Sequence, residues 1–347
     1  MPQQHRPLVI NFYLFPMKKI IQLSGLSLAL ICMSYSFNSY AQSDEYEELF
    51  KAKKYAEIEK LANSKLASNP NLASALVAKI NVILSSNADS RFDEAQKIAE
   101  QCIKTNPSNS ECHESLGSVL GTNAMRKGVM SSLGSAGTIR DSFKKAIELD
   151  PKNYSARNSL LQFYLQAPGI AGGSNSKARD LISDTQKVNP AIATILQARY
   201  DIYKEDFSKA QNSLLALKTA EQDDAFKMQR GTLIQISNKL IAEKEYANAQ
   251  KLLLELDKRY PNNLGVNYAF GRLYQEQGNN KDALGYFEKA NTIEANAYTF
   301  HRLAKAYAAL NDKVKAIQNL EKALQFSPSL DKTELSNAQN LLKQLKS

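Results

Sequence analysis

The chain has 347 residues, a formal net charge of +9, 43% hydrophobic and 23% charged residues, and no tryptophan. That balance excludes wholesale disorder, which requires low hydrophobicity and high net charge, and it suits a chain that buries a core. Few glycines and prolines among abundant Ala, Leu, Lys, Gln and Glu favour helix over strand, so an all-α fold is expected.

The first feature along the chain is Met17-Lys18-Lys19, followed by a mostly apolar stretch from Ile20 to Met33 and a polar run that ends at Ser39-Tyr40-Ala41. A cationic start, a short apolar core and small residues at a cleavage point make up a secretory signal peptide, here residues 1–41. The apolar core is shorter than the ~20 residues that span a bilayer. Residues 1–16 read as an upstream start, and a buried N-terminal helix is the competing reading. Cys32 raises a lipoprotein anchor, but Ile31 stands where that motif needs Gly, Ala or Ser. Cleavage after Ala41 predicts a periplasmic or secreted protein without a membrane span. Without Arg6, Lys18 and Lys19 the rest carries 41 basic against 35 acidic residues. It has no Lys/Arg run and no basic-aromatic motif, so the surplus reads as a solvated surface and no nucleic-acid partner is expected.

Cys102 and Cys112 remain after cleavage, and an even count in an oxidising compartment points to a bridge. Thr105-Asn106-Pro107-Ser108-Asn109 between them is a turn signal, placing one cysteine at the end of a helix and the other at the start of the next. Two free buried thiols are the alternative. A metal site on Cys112 and His113 is another, although no third or fourth ligand is visible.

Residues 264–328 write one pattern twice, 33 residues apart. Phe270-Gly271, Tyr274, Ala283, Phe287 and Ala290 are matched by Leu303-Ala304, Tyr307, Ala316, Leu320 and Ala323. Small residues at fixed points let two helices approach closely, and bulky residues one turn away fill the space between them. Proline marks the end of each second helix, because it is disfavoured inside a helix and common just after one. Pro70, Pro107, Pro151, Pro190, Pro261 and Pro328 each lie twelve residues after Ile58, Ala95, Ile139, Ala178, Ala249 and Ala316, and only Pro168 breaks the rule.

This register predicts eight helical hairpins over 42–331. The first, about 44–70, has a short first helix and reads as a capping unit. The second, about 72–107, opens its second helix at Phe92-Asp93-Glu94-Ala95. The third carries Leu116-Gly117, Phe143 and Ala146 with about ten extra residues, and the fourth carries Leu160, Tyr164, Ala178 and Ile182 with about five. The fifth, about 191–220, retains Ala198, Ala210, Leu214 and Leu217 without a closing proline, and its link at 219–229 is the expected break in the array. The sixth has Leu240, Ala249 and Leu253, and the doublet supplies the seventh and eighth. A single amphipathic helix over 332–347, with Leu335, Ala338, Leu341, Leu342 and Leu345 on one stripe, would cap the stack.

The doublet resembles the tetratricopeptide repeat, with its L-G-x2-Y, A-x3-F and terminal Pro pattern. The resemblance implies an all-α solenoid, a non-catalytic scaffold whose partner protein, peptide or helix lies in a concave groove lined by the first helices. Under the family's face convention the groove candidates are Asn238, Tyr268, Arg272, His301 and Lys305, and the three basic groups suit an acidic peptide or a carboxylate terminus. Tyr274 and Tyr307 are expected between helices.

Two departures interrupt the register. Ala167-Pro168-Gly169-Ile170-Ala171-Gly172-Gly173-Ser174 resembles a loop in secreted bacterial tetratricopeptide proteins. Gly169, Gly172 and Gly173 either bare backbone N–H groups as an anion nest or only make a long turn. Gly121 to Gly137, with Met125, Arg126, Lys127, Met130 and Leu133, either offers an adaptable contact surface or lengthens both helices and buries its methionines. Beyond residue 41 the only histidines are His113 and His301, in no known catalytic motif, and no phosphate loop or dinucleotide fingerprint is present. No enzyme activity, cofactor or metal is expected. The competing functional readings are a self-associating structural protein of the envelope and an enzyme built on the glycine loop.

Overall fold

A computed structural model describes residues 44–86, 89–128, 130–221, 223–326 and 330–347. The leader, with Cys32, and Pro328 lie outside the described residues. Seventeen α-helices run through those described. They pair as α1 Asp44–Lys51 with α2 Tyr55–Ser68, α3 Ala73–Ser86 with α4 Phe92–Thr105, α5 Ser110–Lys127 with α6 Ala136–Leu149, and α7 Tyr154–Gln166 with α8 Asn175–Val188. The series continues as α9 Pro190–Tyr203 with α10 Phe207–Ala216, α11 Asp224–Ala242 with α12 Tyr246–Arg259, α13 Leu264–Glu276 with α14 Asn280–Ile293, and α15 Ala297–Ala309 with α16 Lys313–Gln325. Helix α17, Lys332–Lys346, closes the series. Each helix packs on its neighbours in sequence, and first helices also touch across hairpins, as α9 does α11 and α11 does α13. This is the α-solenoid of eight hairpins and a capping helix that the register predicts.

Local chemistry fixes the helix ends. Asn109, Asn153, Asn189, Asn263 and Asn296 cap first helices, their side chains accepting from backbone N–H groups of the opening turn. Asp206, Asn279 and Asp312 do the same for second helices, satisfying donors that have no partner inside the helix. Within the hairpins, Glu205, Lys244, Gly278 and Asn311 turn the chain with φ of 64°, 63°, 81° and 62°. Each stands five residues before the small residue of its second helix, so the register extends to the backbone conformation of the turn.

The small residues are core. Ala95, Ala178, Ala210, Ala249, Ala283 and Ala316 are fully buried. A Cβ on Gly271 would meet the Phe287 ring at 2.5 Å, and one on Gly117 the Phe143 ring at 2.7 Å. Where Ala304 replaces glycine, the smaller Leu320 faces it. Tyr274 stacks on Tyr286 with ring centroids 5.4 Å apart, and the Tyr307 hydroxyl donates to Glu288 at 2.8 Å. Cys102 and Cys112 are bonded, with Cα atoms 5.3 Å apart, and tie α4 to α5. His113 Nε2 lies 2.9 Å from the Pro107 carbonyl, and Cys112 is spent in the bridge, which disposes of the metal reading.

At 217–223 the chain links α10 to α11. Gln229 Nε2 donates to the Leu214 and Leu217 carbonyls at 2.6 and 2.8 Å, and Thr219 Oγ1 donates to Gln229 Oε1 at 2.6 Å. One buried cluster runs from Ile139 to Leu273 straight through this link, so the core does not end there. The third hairpin uses its extra residues to lengthen α5 and to form a 3-10 segment, Met130–Ser135, before α6. Met125 stays 45% exposed. The first hairpin reaches the seventh: Lys53, in the turn of the first hairpin, is ion-paired with Glu294 just after α14, across 241 residues of sequence.

Candidate functional site

The candidate residues near the doublet lie on the first helices α11, α13 and α15, and α17 packs against the last hairpin. The array steps about 33 residues at a time, and equal steps place Tyr268, His301 and Glu334 at equivalent points on successive helices. A second ladder runs through Asn238, Arg272 and Lys305. The candidate residues therefore converge, but they do not form a free basic patch. Arg272 is 7% exposed and donates from Nη1 to Asn238 Oδ1 at 2.8 Å. His301 is 2% exposed, with Nδ1 3.0 Å from Glu334 Oε2 on the capping helix. Tyr268 is buried against Phe287, with ring centroids 5.7 Å apart. Lys305 alone of the three basic candidates is exposed.

Charge in this cluster is largely matched from within. Arg302, buried beside His301, reaches Glu276 Oε1 at 3.2 Å and Gln275 Oε1 at 3.0 Å. The His301 hydrogen bond, with Arg302 and Lys305 nearby, holds the Glu334 carboxyl down to about 2. Burial, followed by the neighbouring Arg302, pulls the Arg272 guanidinium below its ordinary value. Desolvation and then Arg302 do the same to the Lys305 amine, although the side chain as a whole is exposed. The expectation of three solvent-facing cations is thus corrected to one exposed lysine at the rim of a buried, carboxylate-matched cluster. Arg272 Nε and His301 Nε2 are the buried atoms of that cluster left without a protein hydrogen-bond partner. Reading the first helices in isolation misses Arg302, Glu276 and Glu334, yet one further 33-residue step from His301 lands on Glu334.

The glycine loop lies elsewhere. Its N–H groups at Ala171, Gly172, Gly173 and Ser174 donate to the carbonyls of Pro168, Gly169, Pro168 and Tyr164 at 2.8 to 3.1 Å. A Cβ on Gly173 would fall 1.8 Å from the Ala167 carbonyl oxygen, and Gly172 has φ +99°. Gly172 and Gly173 serve a tight re-entry into α8, and those four N–H groups are not left for an anion. The enzyme reading built on this loop has no support in its geometry. No cluster of metal-ligating side chains is found among the described residues, and no helix among them is long and apolar enough to cross a membrane.

Helical hairpins packed in consecutive pairs define the class, an α-solenoid. Residues 264–296 and 297–330 match the family described as Tetratricopeptide repeat, so the doublet at least is a pair of such repeats. Among solved structures it is similar to yeast Tom70, at 16% identity and TM-score 0.54, covering 95% of this chain and 71% of that one. It is also similar to a tetratricopeptide repeat protein from Parabacteroides merdae, at 16% identity and TM-score 0.43, covering 79% of this chain and 99% of that one. A third similar structure is PilF of Pseudomonas aeruginosa, at 16% identity and TM-score 0.39, covering 72% and 99%. The likeness to Tom70 shows the fold alone. No curated protein matches the sequence.

Proposed function

We propose that the protein is a non-catalytic scaffold of the cell envelope that holds a partner segment in its concave groove. Export is supported by the order of charge and apolarity in residues 1–41 and by the Cys102–Cys112 bridge, which suits an oxidising compartment. The observation that carries the groove reading is the pair of buried polar atoms, Arg272 Nε and His301 Nε2, left without a protein partner beside the exposed Lys305. A buried polar atom without a partner is costly, so a segment that brings a complementary group gains at this point. With Lys305 at the rim, an acidic segment is the best match.

Reversing the charge of Arg272 would be a poor test, because a carboxylate at this buried position would disrupt its surroundings whatever the groove binds. Lys305→Glu is the cleaner change. In pull-downs from envelope extract with mass-spectrometric identification, it is expected to weaken capture of the main partner about fivefold, the factor carried by ~1 kcal/mol. The melting temperature should stay as in the wild type. Unchanged capture would remove the groove as the binding face.

A further inference from the structure

The fifth hairpin departs from the three that follow it at one core position. In the sixth, seventh and eighth hairpins, the residue nine before the small residue of the second helix is Leu240, Tyr274 and Tyr307, before Ala249, Ala283 and Ala316. The fifth hairpin has Asp201 there, nine before Ala210. In the eighth hairpin the ring of Tyr307 lies under Lys315 of its own second helix, 5.2 Å from Nζ to the ring centroid. Its hydroxyl donates to Glu288 of the preceding second helix at 2.8 Å. The residue equivalent to Lys315 in the fifth hairpin is Lys209, and it bonds Asp201 Oδ1 at 3.0 Å.

No large side chain fills the matching space between α8 and α10. An open-sided cavity of about 260 Å3 is found there, lined by Ile182, Gln186, Ala193, Gln197, Asp201 and Lys209 among others. Asp201 is 4% exposed, and its Oδ1 also accepts from Gln197 Nε2 at 2.8 Å. Its Oδ2 has no hydrogen-bond donor. A buried carboxylate oxygen without a donor disfavours the folded state unless something supplies one. An Asp201–Lys209 tie by itself explains neither the space nor the unmet oxygen.

We propose that this cavity is a binding site for a phenolic ring, such as the tyrosine side chain of a bound protein segment. The ring occupies the space that Tyr307 fills from within in the eighth hairpin, and its hydroxyl donates to Asp201. Ile182 and Ala193 supply apolar contact, and Lys209 lies at the side from which Lys315 faces the Tyr307 ring. A neutral donor fits better than a second cation, because Lys209 already neutralises the carboxylate. The volume lies below the ~300 Å3 at which sites for larger small molecules begin, which suits a single ring.

The test is methyl NMR on the full chain, with p-cresol as probe. Saturable shifts of the Ile182 and Ala193 methyl groups are expected, with a Kd on the order of 1 mM. Toluene, which has the ring but no donor, should bind at least about fivefold more weakly. Asp201→Tyr fills the space with the chain's own ring, as in the eighth hairpin, and should abolish the shifts while the protein stays folded. Asp201→Leu, which copies Leu240 of the sixth hairpin, serves if the tyrosine variant does not fold. Absence of saturable shifts in the wild type, equal binding of toluene, or unaltered binding by a folded Asp201 variant would each overturn the proposal.

Discussion

The third hairpin and hairpins seven and eight apply the same packing rule to chains of different length. In the doublet nothing is inserted, and Gly271 against Phe287 or Ala304 against Leu320 sets the separation of the helices. In the third hairpin about ten extra residues intervene, yet Gly117 still meets Phe143 as Gly271 meets Phe287. What the repeat holds constant is a matched pair of volumes across the hairpin. The connection can grow, as between α5 and α6, without disturbing the pair.

The largest effect on this comparison is expected from Phe287→Ala. It empties a fully buried site and should cost about 3–5 kcal/mol in denaturant unfolding. The N-terminal hairpins have a covalent tie that the doublet lacks, so Cys102→Ser with Cys112→Ser should cost roughly 2–3 kcal/mol, and the same loss should follow reduction of the wild type. Gly271→Ala puts a methyl group into the Phe287 ring and should cost about 1–3 kcal/mol. Adding Phe287→Leu copies the Ala304 and Leu320 pair and should recover part of that loss, a coupling that a double-mutant cycle measures. Additive losses would show that the two volumes are not matched. The smallest effect is a gain: Glu205→Gly or Lys244→Gly relieves a positive φ that Gly278 already accommodates and should add about 0.5–1 kcal/mol to stability.

Most of the fold was legible because a repeat states its own register. Alanine or isoleucine twelve residues before a proline marked six of the eight second helices, and the caps that follow, such as Asn109, Asn153 and Asn263, stand two residues beyond Pro107, Pro151 and Pro261. The bridge was legible from two cysteines on either side of one turn. The groove was legible only as a set of positions. Their burial was not, because it depends on what the next step of the array supplies, and for His301 that is Glu334 on a helix read from its leucine stripe alone. The glycine loop misled for a related reason, since glycines that free N–H groups and glycines that permit a tight re-entry look alike until the acceptors at Pro168, Gly169 and Tyr164 are in place. Asp201 broke the register in plain view, and what showed its meaning was the empty space beside it.

The ion pair between Lys53 and Glu294 alters how such an array can come apart. A linear stack of hairpins loses units from its ends, since a terminal unit is held from one side only. Here the first hairpin is held by its neighbour and also, through this one ion pair, by the seventh hairpin, so the contact acts as a latch on the terminal unit. Opening that latch should let the first hairpin exchange its amide hydrogens ahead of the rest, leaving the second, stapled by its disulfide to the third, as the next point of resistance.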